Sequence, residues 1–161
     1  MNKQFGFLKE VLKGDSDFLS LLSAINSEKL PAVCTGLSGI YKAVNIAVIS
    51  EEIKRPVTVI TSGEAEAYAL YNDLLSLGVN ALNFPYRDLS LAGIYGESRE
   101  YEHKRIHTLS AVAGGDFKVL VMSVDAATQP TLPKDRLINS TFTLSVGDNF
   151  ELNRLTDKVV H

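Results

Sequence analysis

PAVCTGLSGIYKA, residues 31–43, is the stretch that decides the fold. Its apolar first half, 31–35, leads into a glycine turn at 36–39, and helical spacing follows over residues 40–53. A short apolar run that ends in a glycine turn before a helix is typical of a buried strand in an α/β sheet. The stretch therefore predicts a strand, a turn and a helix, and it predicts that Cys34 is a small core residue.

Strands and helices alternate along most of the chain. Two helices precede residue 31, and Asp15 or Ser16 is positioned to cap the second of them. Thr61 and Glu64 have the spacing of a capping box at the start of a later helix. Further strands are predicted at 57–60, 80–84 and 117–122, and further helices end at Gly78 and at Gly114-Gly115. This alternation indicates an α/β fold with a parallel sheet flanked by helices.

The sequence pattern changes after Pro133. Residues 138–146 alternate apolar and polar side chains, which predicts a half-exposed strand, and Asp148 or Asn149 would cap a helix that is still running at the last residue. We therefore expect one domain at 1–133 and, at 134–161, the truncated beginning of a second, small α+β domain.

Composition and charge narrow the class of protein. The 161 residues carry 16 Lys and Arg against 19 Asp and Glu, a formal net charge of -3 that argues against a chain devoted to coating nucleic acid. Cys34 is the single cysteine, which excludes a disulfide within the chain and a cysteine-based zinc site. The charged N-terminus does not resemble a signal peptide, and no apolar run approaches the length of a membrane span. A cytoplasmic protein without membrane contact is expected.

Residues 36–43 match part of the phosphate-binding loop pattern G-x-x-x-x-G-K-[ST]. Such a loop cradles phosphate with backbone N–H groups, while its lysine contacts phosphate oxygens and its hydroxyl binds Mg²⁺. Gly36 and Lys42 match, but Tyr41 replaces the second glycine and Ala43 replaces the hydroxyl residue. We therefore predict a vestigial loop that is inactive and holds no cofactor. The residues that we assign to this vestigial loop are Gly36, Gly39 and Lys42.

Three other interpretations of the same turn stay open. The turn is a coincidental strand–glycine–helix connection, or it is a working nucleotide site, although Ser123 follows the predicted last strand and the first acid there is Asp125. It also resembles a nucleophile elbow, G-x-S-x-G, with Ser38 as nucleophile, Ile40 in place of the last glycine and His107 available as a base.

The remaining polar side chains give weaker patterns. His103 and His107 lie four residues apart on one predicted helix, but the glutamate of H-E-x-x-H and a third ligand are lacking, so no metal site is predicted. Arg87, Lys104 and Arg105 are interpreted as surface cations.

Four stretches, taken in order, resemble the N-terminal module of the bacterial transcription-repair coupling factor (Mfd) family, which is itself similar to the damage-recognition protein UvrB. The resemblance covers most of the chain from about residue 16. The stretches are residues 36–43, Thr61-Ser62-Gly63-Glu64, the segment from Phe84-Pro85-Tyr86-Arg87-Asp88 to His103-Lys104-Arg105, and Lys118–Ala126.

The resemblance implies a RecA-like, P-loop NTPase-type half-domain at 1–133 (like UvrB domain 1a) that kept the fold and lost the ATPase. Residues 134–161 would begin the second domain, through which the module binds UvrA. The whole protein of this family is an ATP-dependent DNA translocase that displaces stalled RNA polymerase and recruits UvrA in nucleotide excision repair. Its ATP and Mg, and its contacts with DNA and polymerase, belong to downstream domains.

This chain is accordingly expected to be a non-catalytic interaction and regulatory module with no cofactor of its own. The alternatives are a nucleotide-binding fragment of a UvrB-like helicase, or a small α/β hydrolase that uses Ser38.

Overall fold

A computed structural model describes residues 3–87, 100–142 and 145–147. The chain divides into two compact units, Met1–Gln129 and Pro130–His161. The first unit contains helices α1 (Lys3–Lys13), α2 (Ser16–Asn26), α3 (Ile40–Glu52), α4 (Glu64–Ser76), α5 (Glu100–Gly114) and α6 (Val124–Thr128), and strands β1 (Val57–Thr61), β2 (Ala81–Phe84) and β3 (Val119–Ser123). The second unit contains helix α7 (Lys134–Ser140).

The three described strands form one parallel sheet in the order β1-β3-β2. Val119 of the central strand lies opposite both Val57 and Ala81, so the three strands start level, and β2 ends one residue before the other two. Apolar and β-branched residues favour a strand that is covered on both faces, and four of the five residues of β3 are buried. The prediction of an α/β chain with a parallel sheet flanked by helices is confirmed.

Alternating side chains of the sheet enter two separate hydrophobic clusters. The first cluster joins one face of the sheet to helices α1–α4, and it includes Val119, Val121, Leu74 and Val48. The second joins the other face to α5 and α6, and it includes Leu120, Met122, Phe84, Leu109 and Ala126. Because successive residues of a strand point to opposite faces, β3 supplies both clusters.

Local signals set several helix ends as the sequence predicts. The carboxylate of Asp15 accepts hydrogen bonds from the backbone N–H groups of Asp17 and Phe18, at 2.8 and 3.0 Å, and so caps α2. Past the end of α4, Gly78 has a φ of +81°, a left-handed conformation that glycine adopts without strain. The predicted cap at Asp15 and the predicted end of α4 at Gly78 are confirmed.

The strand predicted at 31–35 is wrong. These residues have no regular secondary structure, Val33 is 85% exposed, and Cys34 is exposed instead of buried in the core. No described strand pairs with them, and Pro31 has no N–H to give to a ladder. A five-residue apolar run becomes a strand only when a neighbour distant in sequence pairs with it, and hydrophobic pattern does not report that neighbour.

Two smaller predictions also need correction. The capping box of Thr61 and Glu64 does not form, because Gly63 is the residue that precedes α4 and the Thr61 hydroxyl donates to the Gly63 carbonyl instead. The strand predicted at 138–146 is wrong in the residues that the structure describes: residues 138–140 belong to α7, and 141–142 and 145–146 are not in a strand. Pro133 suits the start of that helix because its fixed φ is compatible with a first turn. The final helix predicted after residue 148 lies outside the described residues.

Candidate functional site

The carboxyl ends of the three strands lie at one edge of the sheet, which we call the carboxyl edge. Thr61, Phe84 and Ser123 are the last residues of β1, β2 and β3. Open parallel sheets bind ligands at this edge, because the following loops and helix N-termini meet there. The carboxyl edge is therefore the place where the predicted site residues have to be located.

The predicted phosphate turn does not have the surroundings of a working loop. Gly36 and Gly39 adopt φ values of +80° and +51°, which suit glycine, but no strand leads into them. The backbone N–H groups of Tyr41 and Lys42 donate to the carbonyls of Ser38 and Gly39, each at 3.2 Å, within the turn itself. In a working loop, N–H groups at these positions point to phosphate.

The two departures from the loop pattern have clear positions in the structure. Tyr41 is 63% exposed, whereas Ala43 is fully buried in the first hydrophobic cluster with Val44 and Ala47. The position at which a phosphate loop carries its metal-binding hydroxyl thus belongs to the core here.

The lysine of the turn is held by an acid from another helix. Lys42 Nζ lies 3.1 Å from Glu66 Oε1, and the Ser62 hydroxyl donates to Glu66 Oε2 at 2.8 Å. The Ser62 hydroxyl first, and then Lys42, hold the pKa of Glu66 below its ordinary value. Lys42 therefore already has an anionic partner in the first turn of α4.

A second connection at the carboxyl edge joins β3 to α4. The fully buried Ser123 hydroxyl donates to Glu64 Oε1 at 2.5 Å and accepts a hydrogen bond from the Ala126 N–H at 3.1 Å. Thr61 Oγ1 lies 3.4 Å from the Met122 carbonyl, which adds a contact between β1 and β3. Ser123, which follows the predicted last strand where an acid was sought, has a structural role here: it caps α6 and holds the start of α4.

A buried arginine that the sequence pattern does not reveal lies close to the same edge. The interpretation of Arg105 as a surface cation is wrong, because only 8% of it is exposed and its guanidinium lies 4.0 Å from the centre of the Phe84 ring. Burial, and then the charge of Arg87, lower the pKa of Arg105 from its ordinary value. No apolar periodicity marks this face of α5 in the sequence, because its other buried residue, Thr108, three residues further along, is polar as well.

The other predicted residues remain apart from these contacts. Ser38 is exposed and, in the part of the chain that the structure describes, makes no side-chain hydrogen bond, so no base or acid is seen to activate it. His103 and His107 are exposed on α5. Among the described residues, no group of three or more His, Cys, Asp or Glu side chains could hold a metal ion.

Nor does any helix within the described ranges have the length and hydrophobicity needed to cross a membrane.

Comparison with known proteins gives one consistent result. The chain is 23% identical over 155 residues to the transcription-repair-coupling factor of Bacillus subtilis (strain 168), with 95% of this chain and 13% of that protein covered. It is 24% and 25% identical over 156 residues to the factors of Staphylococcus aureus strains USA300 and MRSA252, with 96% of this chain and 13% of each protein covered.

This chain spans about an eighth of the length of the relatives named above. No protein-family model matches the chain. No solved structure matches it either. The resemblance found in the four sequence stretches is confirmed: along almost its whole length, this chain is similar to one part of the bacterial transcription-repair-coupling factors.

Proposed function

We propose that this chain is a non-catalytic interaction and regulatory module of a transcription-repair coupling factor. The single observation that carries the proposal is the similarity to these factors over 95% of the chain. The proposal includes a RecA-like ancestry for the sheet, supported by the parallel order of β1, β3 and β2 and by the glycine turn before α3. The missing strand at 31–35 separates this chain from a complete fold of that kind.

The absence of ATPase activity is the second part of the proposal. Three contacts support it: Lys42 pairs with Glu66, Ala43 belongs to the core, and the N–H groups of Tyr41 and Lys42 bond within the turn. A nucleotide would have to displace the carboxylate of Glu66 before Lys42 could contact phosphate. Catalysis would also need a hydroxyl ligand for Mg²⁺, which the core position of Ala43 does not offer.

The third part concerns partners. In the whole protein we place UvrA at the domain that begins with the second unit, and RNA polymerase, DNA, ATP and Mg at domains beyond this chain. The family's role in displacing stalled polymerase and recruiting repair proteins to damage would then belong to the whole protein, acting in the cytoplasm. This chain would contribute contacts and regulation.

Calorimetric titration of Mg-ATP and Mg-ADP into the 161-residue chain tests the non-catalytic part. We expect no saturable heat for the native sequence and none for Glu66→Gln, which frees Lys42 but does not supply a loop. Saturable binding in the low micromolar range by the native chain would contradict the proposal and favour a nucleotide-binding fragment of a UvrB-like helicase. Binding by Glu66→Gln alone would mean that the loop is blocked by Glu66 and not lost.

Two further measurements test the partner and the remaining alternative. A longer chain that completes the second domain should capture purified UvrA, whereas the 161-residue chain should capture less. No capture by either would contradict the partner assignment. Ester hydrolysis that is abolished by Ser38→Ala would contradict the non-catalytic role and support the hydrolase.

A further inference from the structure

The side chain of Gln129 pairs with the main chain of Arg87 in both directions. The Arg87 N–H donates to Gln129 Oε1 at 2.9 Å, and Gln129 Nε2 donates to the Arg87 carbonyl at 2.6 Å. A neighbouring strand would satisfy both backbone groups of a residue in this manner. Here one carboxamide does so three residues after β2 ends, and it fixes the direction in which the chain leaves the sheet.

Arg105 completes this arrangement from α5. Its Nη1 donates to the Pro85 carbonyl at 2.7 Å and to Gln129 Oε1 at 3.0 Å, while its guanidinium lies over the Phe84 ring. A buried guanidinium whose N–H donors lack acceptors strongly destabilises the folded state. A hydrogen bond from a charged donor is also stronger than one between neutral groups. Arg105 and Gln129 therefore hold each other in place.

Gln129 also occupies a special position along the chain. It is the residue at the end of α6, where its own N–H bonds to the Ala126 carbonyl at 3.3 Å, and it is the last residue of the first unit. Gln129 thus contacts two segments that we call exits: residues 85–87, where the chain leaves β2, and Gln129 itself, where the chain leaves α6. The side chain of Gln129 is therefore a contact that both segments share.

We propose that Arg105 and Gln129 form a latch that couples these two exits, so that both loosen together. A force or partner that reorients the chain at Gln129 breaks the carboxamide pairing, exposes the backbone of Pro85–Arg87 and deprives Arg105 of one acceptor. Conversely, loss of the Arg105 contacts loosens Gln129. This coupling stands on contacts within the first unit alone and is independent of the proposed repair role.

Amide hydrogen exchange, measured by NMR on the full 161-residue chain, tests the latch at two reporter groups, the N–H of Arg87 and the N–H of Gln129. Gln129→Ala should speed exchange at Arg87 at least tenfold. Arg105→Lys keeps the charge but loses the planar fork, and it should speed exchange at least tenfold at both Arg87 and Gln129. The amide of Val121 in the central strand reports on global unfolding, so the change expected at the two reporter amides is the change in excess of any change at Val121.

Thr128→Ala is the matched control, since among the described residues the side chain of this exposed neighbour on α6 bonds only to the Asp125 carbonyl, and its loss should leave both reporter amides unchanged. The latch is overturned if Gln129→Ala leaves the Arg87 amide unchanged, or if Arg105→Lys affects Arg87 and not Gln129. Should Arg105→Lys fail to fold, Gln129→Asn provides the test: its amide is one methylene too short, so unchanged exchange at Arg87 would also overturn the proposal.

Discussion

Two turns lead into neighbouring helices of this molecule, and they are anchored in different ways. The turn at 36–39 before α3 has the glycines and the lysine of a known motif, but its backbone hydrogen bonds stay within the turn and no strand precedes it. The turn at 62–63 before α4 has no known motif, since the capping box predicted for Thr61 and Glu64 does not form. It follows β1 directly, and Ser123 holds the start of its helix through Glu64.

The difference shows where a turn obtains its fixed geometry. Glycines permit a conformation but do not hold it, whereas a paired strand and a buried hydrogen bond to a distant residue do. The motif-bearing turn is joined to α4 by the ion pair of Lys42 with Glu66, whose side chains are about half exposed. The following substitutions test this contrast.

Packing behind the two turns should give the largest contrast. Leu74 of α4 is fully buried in the first cluster, so Leu74→Ala should lower the free energy of unfolding by about 2–5 kcal/mol. Val33, which precedes the first turn, is almost fully exposed, and Val33→Ala should change it by less than about 0.5 kcal/mol. Urea unfolding measures both. A cost above about 1 kcal/mol for Val33→Ala would show that residues 31–35 are buried in solution after all.

Two serines sharpen the comparison at the level of hydrogen bonds. Ser123→Ala should cost about 1–3 kcal/mol, because it leaves the partly buried Glu64 carboxylate and the buried Ala126 N–H without the hydroxyl as partner. Ser38→Ala in the first turn removes an exposed hydroxyl and should cost less than about 0.5 kcal/mol. Equal effects of the two variants in thermal or urea unfolding would refute the difference in anchoring.

The smallest effect concerns the ion pair that links the two turns. The pKa of Glu66 is lower in the folded state than its ordinary value of 4.5, so Glu66 stabilises the fold above that pH and ceases to do so as the pH falls through its folded pKa. Glu66→Gln should therefore be slightly less stable than the native chain at pH 7, and the two should converge in acid. Unfolding curves at a series of pH values measure this difference.

Glu10→Gln on α1 is the control for that series, since Glu10 is an exposed carboxylate without an ion pair in the described part of the chain. A stability difference for Glu66→Gln that stays constant as the pH falls from 7 into acid, or one that Glu10→Gln reproduces, would contradict the role of the pair with Lys42.

Periodicity and glycine stops were sufficient to predict most of the first unit, because helices and central strands carry their pattern locally. α3, α4, β1, β2 and β3 lie within one or two residues of their predicted ranges. The strand at 31–35 could not be judged in this way, since its existence depends on a partner strand and not on its own residues. α6 was missed because its five residues are too short to show a helical period.

The site could be predicted only in part. The lysine and glycines of the turn were found from their spacing, but the acid that holds Lys42 lies 24 residues away on another helix, beyond the reach of a local pattern. The same holds for Gln129, whose partner Arg87 is 42 residues distant. Arg105 is buried because of the way α5 packs against β2. The sequence of α5 is rich in charged residues and does not indicate that packing.

The strand order has a consequence for how this molecule is made. β1 and β2 each pair with β3 and not with each other, and β3 comes last of the three along the chain. During synthesis from the N-terminus, the first two strands must therefore wait, unpaired, until residue 123 has left the ribosome. Helices α1–α4 can gather beforehand, but the sheet closes only when its centre arrives. A pause in translation before that point would prolong a state in which β1 and β2 are unpaired, whereas a pause after it would find these three strands paired.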